Sequence, residues 1–210
     1  MSYRLPITVE RSVREAESNR RLLADEFESK TRAMLVDVNQ GITCQKRCNH
    51  CCRYPVLVSL LEGVTLFRWL AEHGLWLRTL KERLEKHHRA TWGLSPSVWM
   101  LSQIPCPLLD QDLCTAYEIR PFVCRTLLST LDSHYCHPHR FIEGKAGIID
   151  RRGIESRFQE MENRLLKASK MVLLRAPVST AILCGEKLCK EGLAVEDVSE
   201  GLFEDWARNC

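Results

Sequence analysis

The chain has 210 residues, with 30 basic side chains against 27 acidic ones and a net charge of +3. Hydrophobic residues make up 45% and charged residues 27%, enough to bury a core without covalent help. That balance excludes the basic surface of a nucleic-acid binder, and no apolar run is long enough to span a bilayer.

The N-terminal "MSYRLPITVERSVREAESNR" lacks the basic-then-apolar pattern of a secretion signal, so a cytoplasmic location is the default expectation. From about Glu10 to Val38, the residues Val13, Ala16, Leu23, Phe27, Met34 and Val38 recur at steps near three and four. This spacing predicts an amphipathic helix, which Gly41 ends. A loop carrying Cys44, Cys48, Cys51 and Cys52 follows. Ser59 and Glu62 stand at capping-box spacing before a helix expected from Leu60 to His73 and closed by Gly74. A charged helix is expected from Leu75 to Ala90, with His87 and His88 at its surface. Ser95 and Pro96 read as the opening of a short helix to Leu101. Pro121 reads as opening a helix through Cys124 to Leu128. Helices are also expected over Asp150–Lys170, over "VSTAILCGEKLCKE" and over Val198–Trp206, with Pro177 breaking the chain between the first two. Trp69, Trp76, Trp92 and Trp99 read as core-facing aromatics. No stretch shows sustained period-two alternation.

Eleven cysteines are the compositional anomaly. Disulfides are rare in a reducing compartment, and an odd count cannot pair fully within one chain. Metal or cluster ligation is the reading that this usage favours. Four thiolates can close a tetrahedral zinc site or hold an iron–sulfur cluster, and ligands close in sequence reduce the entropy lost on closing it. Cys44, Cys48 and Cys51 can share one side of a short helical turn, whereas the adjacent Cys52 is expected to diverge from Cys51. The doubled cysteine suits a larger cluster or two sites better than one four-coordinate ion. A second set is Cys106, Cys114 and Cys124. Cys106 precedes Pro107, as the last cysteine of the bacterial ferredoxin run precedes proline. Arg120 and Arg125 flank Cys124, where a guanidinium would offset thiolate charge; Arg125 is the residue expected to tune the centre. Cys136, among His134, His137 and His139, brings the thiols to eight, enough for two four-thiolate sites. His50 is expected to face solvent or form a hydrogen bond, Cys184 and Cys189 to be structural, and Cys210 to be a terminal residue without an assigned role.

Taken together, "C-x3-C-x2-CC", then "PCPLL", then "C-x2-Y-x2-RP-x2-CR" resembles the YkgJ-type CxxCxxCC family, whose members are described as zinc- or iron-chelating domains. The elements that carry the resemblance are Cys44, Cys48, Cys51, Cys52, Cys106, Pro107, Leu109, Cys114, Tyr117, Arg120, Pro121, Cys124 and Arg125. It implies a metal centre held by the seven cysteines among them. The family is also similar to the domain of flagellin lysine N-methylases. This chain departs from the family after the last "CR", with "TLLST" where an aromatic residue is usual.

The expected fold is all-α: an irregular helical domain with a cysteine-rich metal-binding centre on loops and helix ends. It is read as a single domain over 1–210, with the cysteine-rich region at 41–140 and a C-terminal helical extension at 141–210. The helices at 10–38 and 60–90 are expected to form the supporting layer. Three functions fit. The first is an iron–sulfur protein with a redox or electron-transfer role and a redox partner. The second is a structural zinc protein presenting a helical surface to a protein partner. The third is a lysine methyltransferase that would bind S-adenosylmethionine. C-x3-C-x2-C is also the cluster motif of radical S-adenosylmethionine enzymes, but those need strands alternating with helices. No phosphate loop, H-E-x-x-H or G-x-S-x-G is present.

Overall fold

The computed structural model describes residues 7–36, 41–45, 47–139, 149–169, 175–191, 198 and 200–209. The fold is mostly helical, as expected. The helices are α1 (Ile7–Val36), α2 (Leu60–Glu72), α3 (Arg78–Thr91), α4 (Pro96–Ser102), α5 (Phe122–Thr126), α6 (Arg152–Ser169), α7 (Val178–Glu191) and α8 (Glu200–Arg208). Among the described residues, no helix is long and apolar enough to cross a membrane.

Local chemistry fixes several of the helix ends. The Ser59 hydroxyl accepts from the Glu62 amide while the Glu62 carboxylate accepts from the Ser59 amide, the reciprocal cap that the spacing predicts. Gly74 takes φ +68 just after α2, a conformation that costs glycine nothing. The Ser95 hydroxyl accepts from the Val98 amide, with Pro96 in the first turn. Along α1, Val13, Ala16 and Ala24 are buried but Met34 is 72% exposed, so the apolar stripe ends before the helix does. Val38 lies outside the described residues.

Four short strands had no sequence signal. β1 (Leu57–Ser59) pairs antiparallel with β4 (Arg175–Pro177), Val58 standing opposite Ala176. β2 (Leu109–Asp110) pairs with β3 (Leu113–Cys114) across Gln111 and Asp112, both at positive φ. That is the mirror-image turn whose twist suits a two-residue hairpin. Runs of two or three residues are too short for alternation to register.

The β1–β4 pair delivers the chain into α2 and α7, which form the centre of the core. Leu61, Val64, Phe67, Ala181, Ile182, Cys184 and Leu188 are among its most buried residues. Cys184 and Cys189 pack here as apolar side chains, Trp99 is buried, and Trp69, Trp76 and Trp92 pack against the same core. A smaller cluster joins α1, α5 and α6 through Ala24, Phe122, Ile154, Phe158 and Met161, with the Phe122 and Phe158 rings stacked 4.2 Å apart.

One surface expectation is overturned. His87 and His88 are buried, at 5% and 4% exposure. The hydroxyls of Ser179 and Thr180 on α7 lie 2.8 Å from their respective Nδ1 atoms. The apolar-looking start of α7 thus offers two polar partners that let α3 turn its imidazoles inward.

Two outcomes follow from this packing. A Cβ built on Gly63 would stand 2.2 Å from the Ala181 carbonyl oxygen, and one on Gly185 would stand 2.9 Å from Val64 backbone atoms. Gly63→Ala is therefore expected to cost about 3 kcal/mol, read as a lower urea midpoint, with Gly153→Ala, where the space is open, as the neutral control. Burial lowers the His87 pKa to about 4 and also lowers that of His88. The unfolded chain therefore takes up protons first as pH falls below about 6.5. Stability should be full above that pH and should drain away towards pH 4, by roughly 3 kcal/mol at most for His87. His87→Gln should flatten this slope in urea titrations at successive pH values.

Candidate metal centre

The ten described cysteines are all free thiols. Eight of them come from four separated stretches, and the hydrogen bonds between those stretches explain why they meet. The Cys106 amide donates to the Cys52 carbonyl at 2.7 Å, tying the first cysteine loop to the second. The Thr43 amide donates to the Ser129 carbonyl at 3.0 Å, and the Ser129 amide donates to Cys44 Sγ at 3.3 Å. The Ser129 hydroxyl bonds the Cys136 thiol. Tyr54 O–H donates to the Cys136 carbonyl at 2.6 Å, closing the turn His50–Arg53 onto the turn Ser133–Cys136. Cys114 is fixed by the hairpin opposite Leu109, and Cys124 lies within α5.

Six of these thiols, Cys48, Cys51, Cys52, Cys106, Cys114 and Cys124, line one cavity of about 650 Å³. Cys44, Cys48 and Cys136 lie within electrostatic reach of one another, and so do Cys106, Cys114 and Cys124. Cys51 acts on all six. Its own thiol is hydrogen-bonded to Cys52, so the adjacent pair does not diverge as expected. Both sulfurs serve the same cavity.

Burial pushes the Cys44 thiol up to about 11 and Cys106 to about 12, and raises Cys48, Cys114, Cys124 and Cys136 as well. Cys51 is raised by its bond to Cys52 and then by burial. These groups are neutral at pH 7, and a nearby cation is what would favour their thiolates. Among the described residues, no three His, Cys, Asp or Glu side chains are gathered closely enough to hold an ion. The donor set nevertheless fits a soft or borderline metal: eight free, clustered sulfurs with neighbouring hydrogen-bond donors.

Among the described residues, two arginines act on the clustered sulfurs: Arg83 favours the Cys106 thiolate, and Arg120 acts on three others. The Arg120 guanidinium sits 4.2 Å over the Tyr117 ring, and its charge favours the thiolates of Cys51, Cys114 and Cys124. Arg125 instead forms an ion pair with Asp25 on α1. The histidines near Cys136 have partners of their own. His134 pairs with Asp132 at 2.8 Å, His137 and His139 stack 5.4 Å apart, and His139 meets Gln103. His50 opens its turn half-exposed. Cys210 lies outside the described residues.

Sequence reading missed the group that holds Arg120 in place. Arg20, 3% exposed, donates to the Ile119 carbonyl at 3.1 Å and to the Arg120 carbonyl. Glu62 Oε1 accepts from the Phe122 amide at 2.8 Å. Behind Glu62, the wholly buried Glu162 accepts from Ser59 and from Arg175, and burial together with Glu62 raises its pKa. The only early signal was the Ser59–Glu62 cap, which accounts for half of what Glu62 does.

No curated protein and no solved structure matches the chain. A family model does: residues 43–143 match CxxCxxCC, described as "Putative zinc- or iron-chelating domain". The matched span contains all eight clustered cysteines and stops short of Cys184 and Cys189 in the helical core. This match to residues 43–143 agrees with the family resemblance seen in the sequence and supports metal binding by that part of the chain.

Proposed function

We propose that this chain is an iron–sulfur protein with a redox or electron-transfer role, its centre held by Cys44, Cys48, Cys51, Cys52, Cys106, Cys114, Cys124 and Cys136. The observation that carries the reading is the convergence of three separated cysteine stretches on one cavity, which is larger than a single ion needs. Thiolates hold iron–sulfur clusters, and hydrogen bonds and nearby charge set their potentials. Ser129 and Arg120 would supply those two influences here. An electron carrier of this kind needs a redox partner.

A second reading is structural zinc, favoured by the all-sulfur donor set, which is typical of closed tetrahedral zinc sites. Protein purified without air separates the two. Iron in the elemental analysis, with absorbance near about 400 nm, supports the first reading. Zinc with no visible absorbance supports the second, because a d10 ion has no such transitions. Protein free of both metals would defeat each reading.

Two substitutions test the assignment of residues. Cys48→Ser is expected to lower metal content and to reduce Tm by several degrees, since ligand loss couples to folding. Arg125→Ala removes an ion pair whose acid partner is 65% exposed. It should cost under about 1 kcal/mol and leave metal content unchanged. Arg120→Ala should instead speed metal loss to a chelator at nearly unchanged Tm. Equal chelator rates for the two arginine variants would remove Arg120 from the site.

A further inference from the structure

We propose that Glu62 and Glu162 form a pH-operated latch: the two buried carboxyl groups hold one proton between them, and its loss draws Glu62 off the Phe122 amide and loosens the bend that carries Arg120 and Cys124. The inference goes beyond the metal-binding reading and does not depend on it.

Ser59 brings the two carboxyls together. Its amide donates to Glu62 Oε2 at 3.4 Å, and its hydroxyl accepts from the Glu62 amide at 3.2 Å and is bonded to Glu162 Oε1. Glu162 is 0% exposed and Glu62 7%. Two buried carboxylates bonded to one residue repel each other strongly, so one of them keeps its proton. Both Glu62 oxygens accept from backbone amides, Oε2 from Ser59 and Oε1 from Phe122 at 2.8 Å, so the proton falls to Glu162. Burial, and after it the neighbouring Glu62, raise the Glu162 pKa, which agrees with this placing.

The cations around the pair supply the second position of the latch. Arg175 Nη2 donates to Glu162 Oε2 at 3.2 Å, and its side chain is 31% exposed, which marks the way to solvent for the proton. Arg20 reaches the pair from α1. Its Nη1 holds the carbonyls of Ile119 and Arg120, while its Nη2 is buried and, among the described residues, meets no acceptor. Glu17 and Arg21 on α1 and Arg125 on α5 are the other charged groups around Arg20, and Glu62 acts on it more than any of them. With Glu162 neutral, one carboxylate faces two guanidiniums. With Glu162 ionised, two carboxylates face two guanidiniums, and Glu62 is pushed away from Glu162 towards the unpaired donor of Arg20. A buried donor without a partner is unfavourable, and the new bond satisfies it at the expense of the Phe122 amide. The bend at 119–122 then loses one of its two grips.

Titration of the whole chain tests this. The unfolded chain gives up the Glu162 proton near about pH 4.3 and the folded chain only at higher pH, so the pair's contribution to stability falls as pH rises between the two. That slope is opposite in sign to the one His87 imposes. In nitrogen-15 spectra taken from about pH 6 to about pH 10, the Phe122 amide proton should move upfield in a single step. Its hydrogen exchange should accelerate across that step more steeply than base catalysis alone provides. Glu162→Gln, which cannot ionise, should abolish both changes and keep the amide bonded throughout. A Phe122 amide that holds its position over this range in the wild type would overturn the proposal, and so would the same step in Glu162→Gln. If that variant does not fold, carbon-13 spectra of the wild-type glutamate side chains decide. One carboxyl carbon titrating well above the ordinary range, in step with the Phe122 amide, supports the latch; none doing so removes it.

Discussion

Arg20 and Glu62 grip four consecutive residues from two sides. The guanidinium holds the carbonyls of Ile119 and Arg120, and the carboxylate holds the amide of Phe122. Both charged groups are buried, and burying a charge is costly unless it is bonded. The bend that they fix carries Arg120 to the sulfurs and starts α5, which contains Cys124. The same Glu62 caps α2, so one side chain couples the helical scaffold to the second group of thiols. Glu162, Ser59 and Arg175 extend this network into β1 and β4. The irregular segment inherits its position from the helices through these few polar contacts.

The thiols carry the opposite balance. Burial disfavours their charged forms, so in the metal-free chain they are neutral donors gathered where charge is unwelcome. Nothing in apolar packing alone calls for six sulfurs around a cavity of about 650 Å³, when Cys184 and Cys189 show how this chain packs sulfur as an ordinary apolar group. A cation resolves the conflict, because binding releases the protons and converts an unfavourable cluster into a ligand set. The polar neighbours are arranged for the thiolate forms: Ser129 offers an amide and a hydroxyl, and Arg120 offers a positive charge.

The helices were legible because their signals are local. The Ser59–Glu62 cap, Gly74, Ser95–Pro96 and the three-to-four spacing of α6 each act within one or two turns. The cysteine stretches were legible because short spacings between soft ligands are uncommon by chance. The contacts that unite them were not, since Arg20 lies 99 residues from Ile119 and Glu62 lies 60 from Phe122. His87 and His88 misled for a related reason. On a helix rich in Lys, Arg and Glu they read as surface, and only the hydroxyls of Ser179 and Thr180, 92 residues away, make their burial tolerable. Charge on a helix face says where solvent is favoured; it does not say which polar residues will find a buried partner.

Scaffold and site differ in how much movement they can absorb. Where α2 meets α7, Gly63 and Gly185 bring backbone against backbone, leaving no room for even a methyl group. The cysteine segments are joined by a few hydrogen bonds, such as Cys106 to Cys52, Thr43 to Ser129 and Tyr54 to Cys136, with short turns between them. Holding an ion requires the sulfurs to draw closer than they stand. Rotation about Cα–Cβ bonds and small shifts of these turns can supply that approach, whereas sliding α2 against α7 cannot without steric clash. Metal affinity in this chain should therefore be set by the turns and by Arg20 and Glu62 beneath them, with the central helices as the fixed frame against which the site closes.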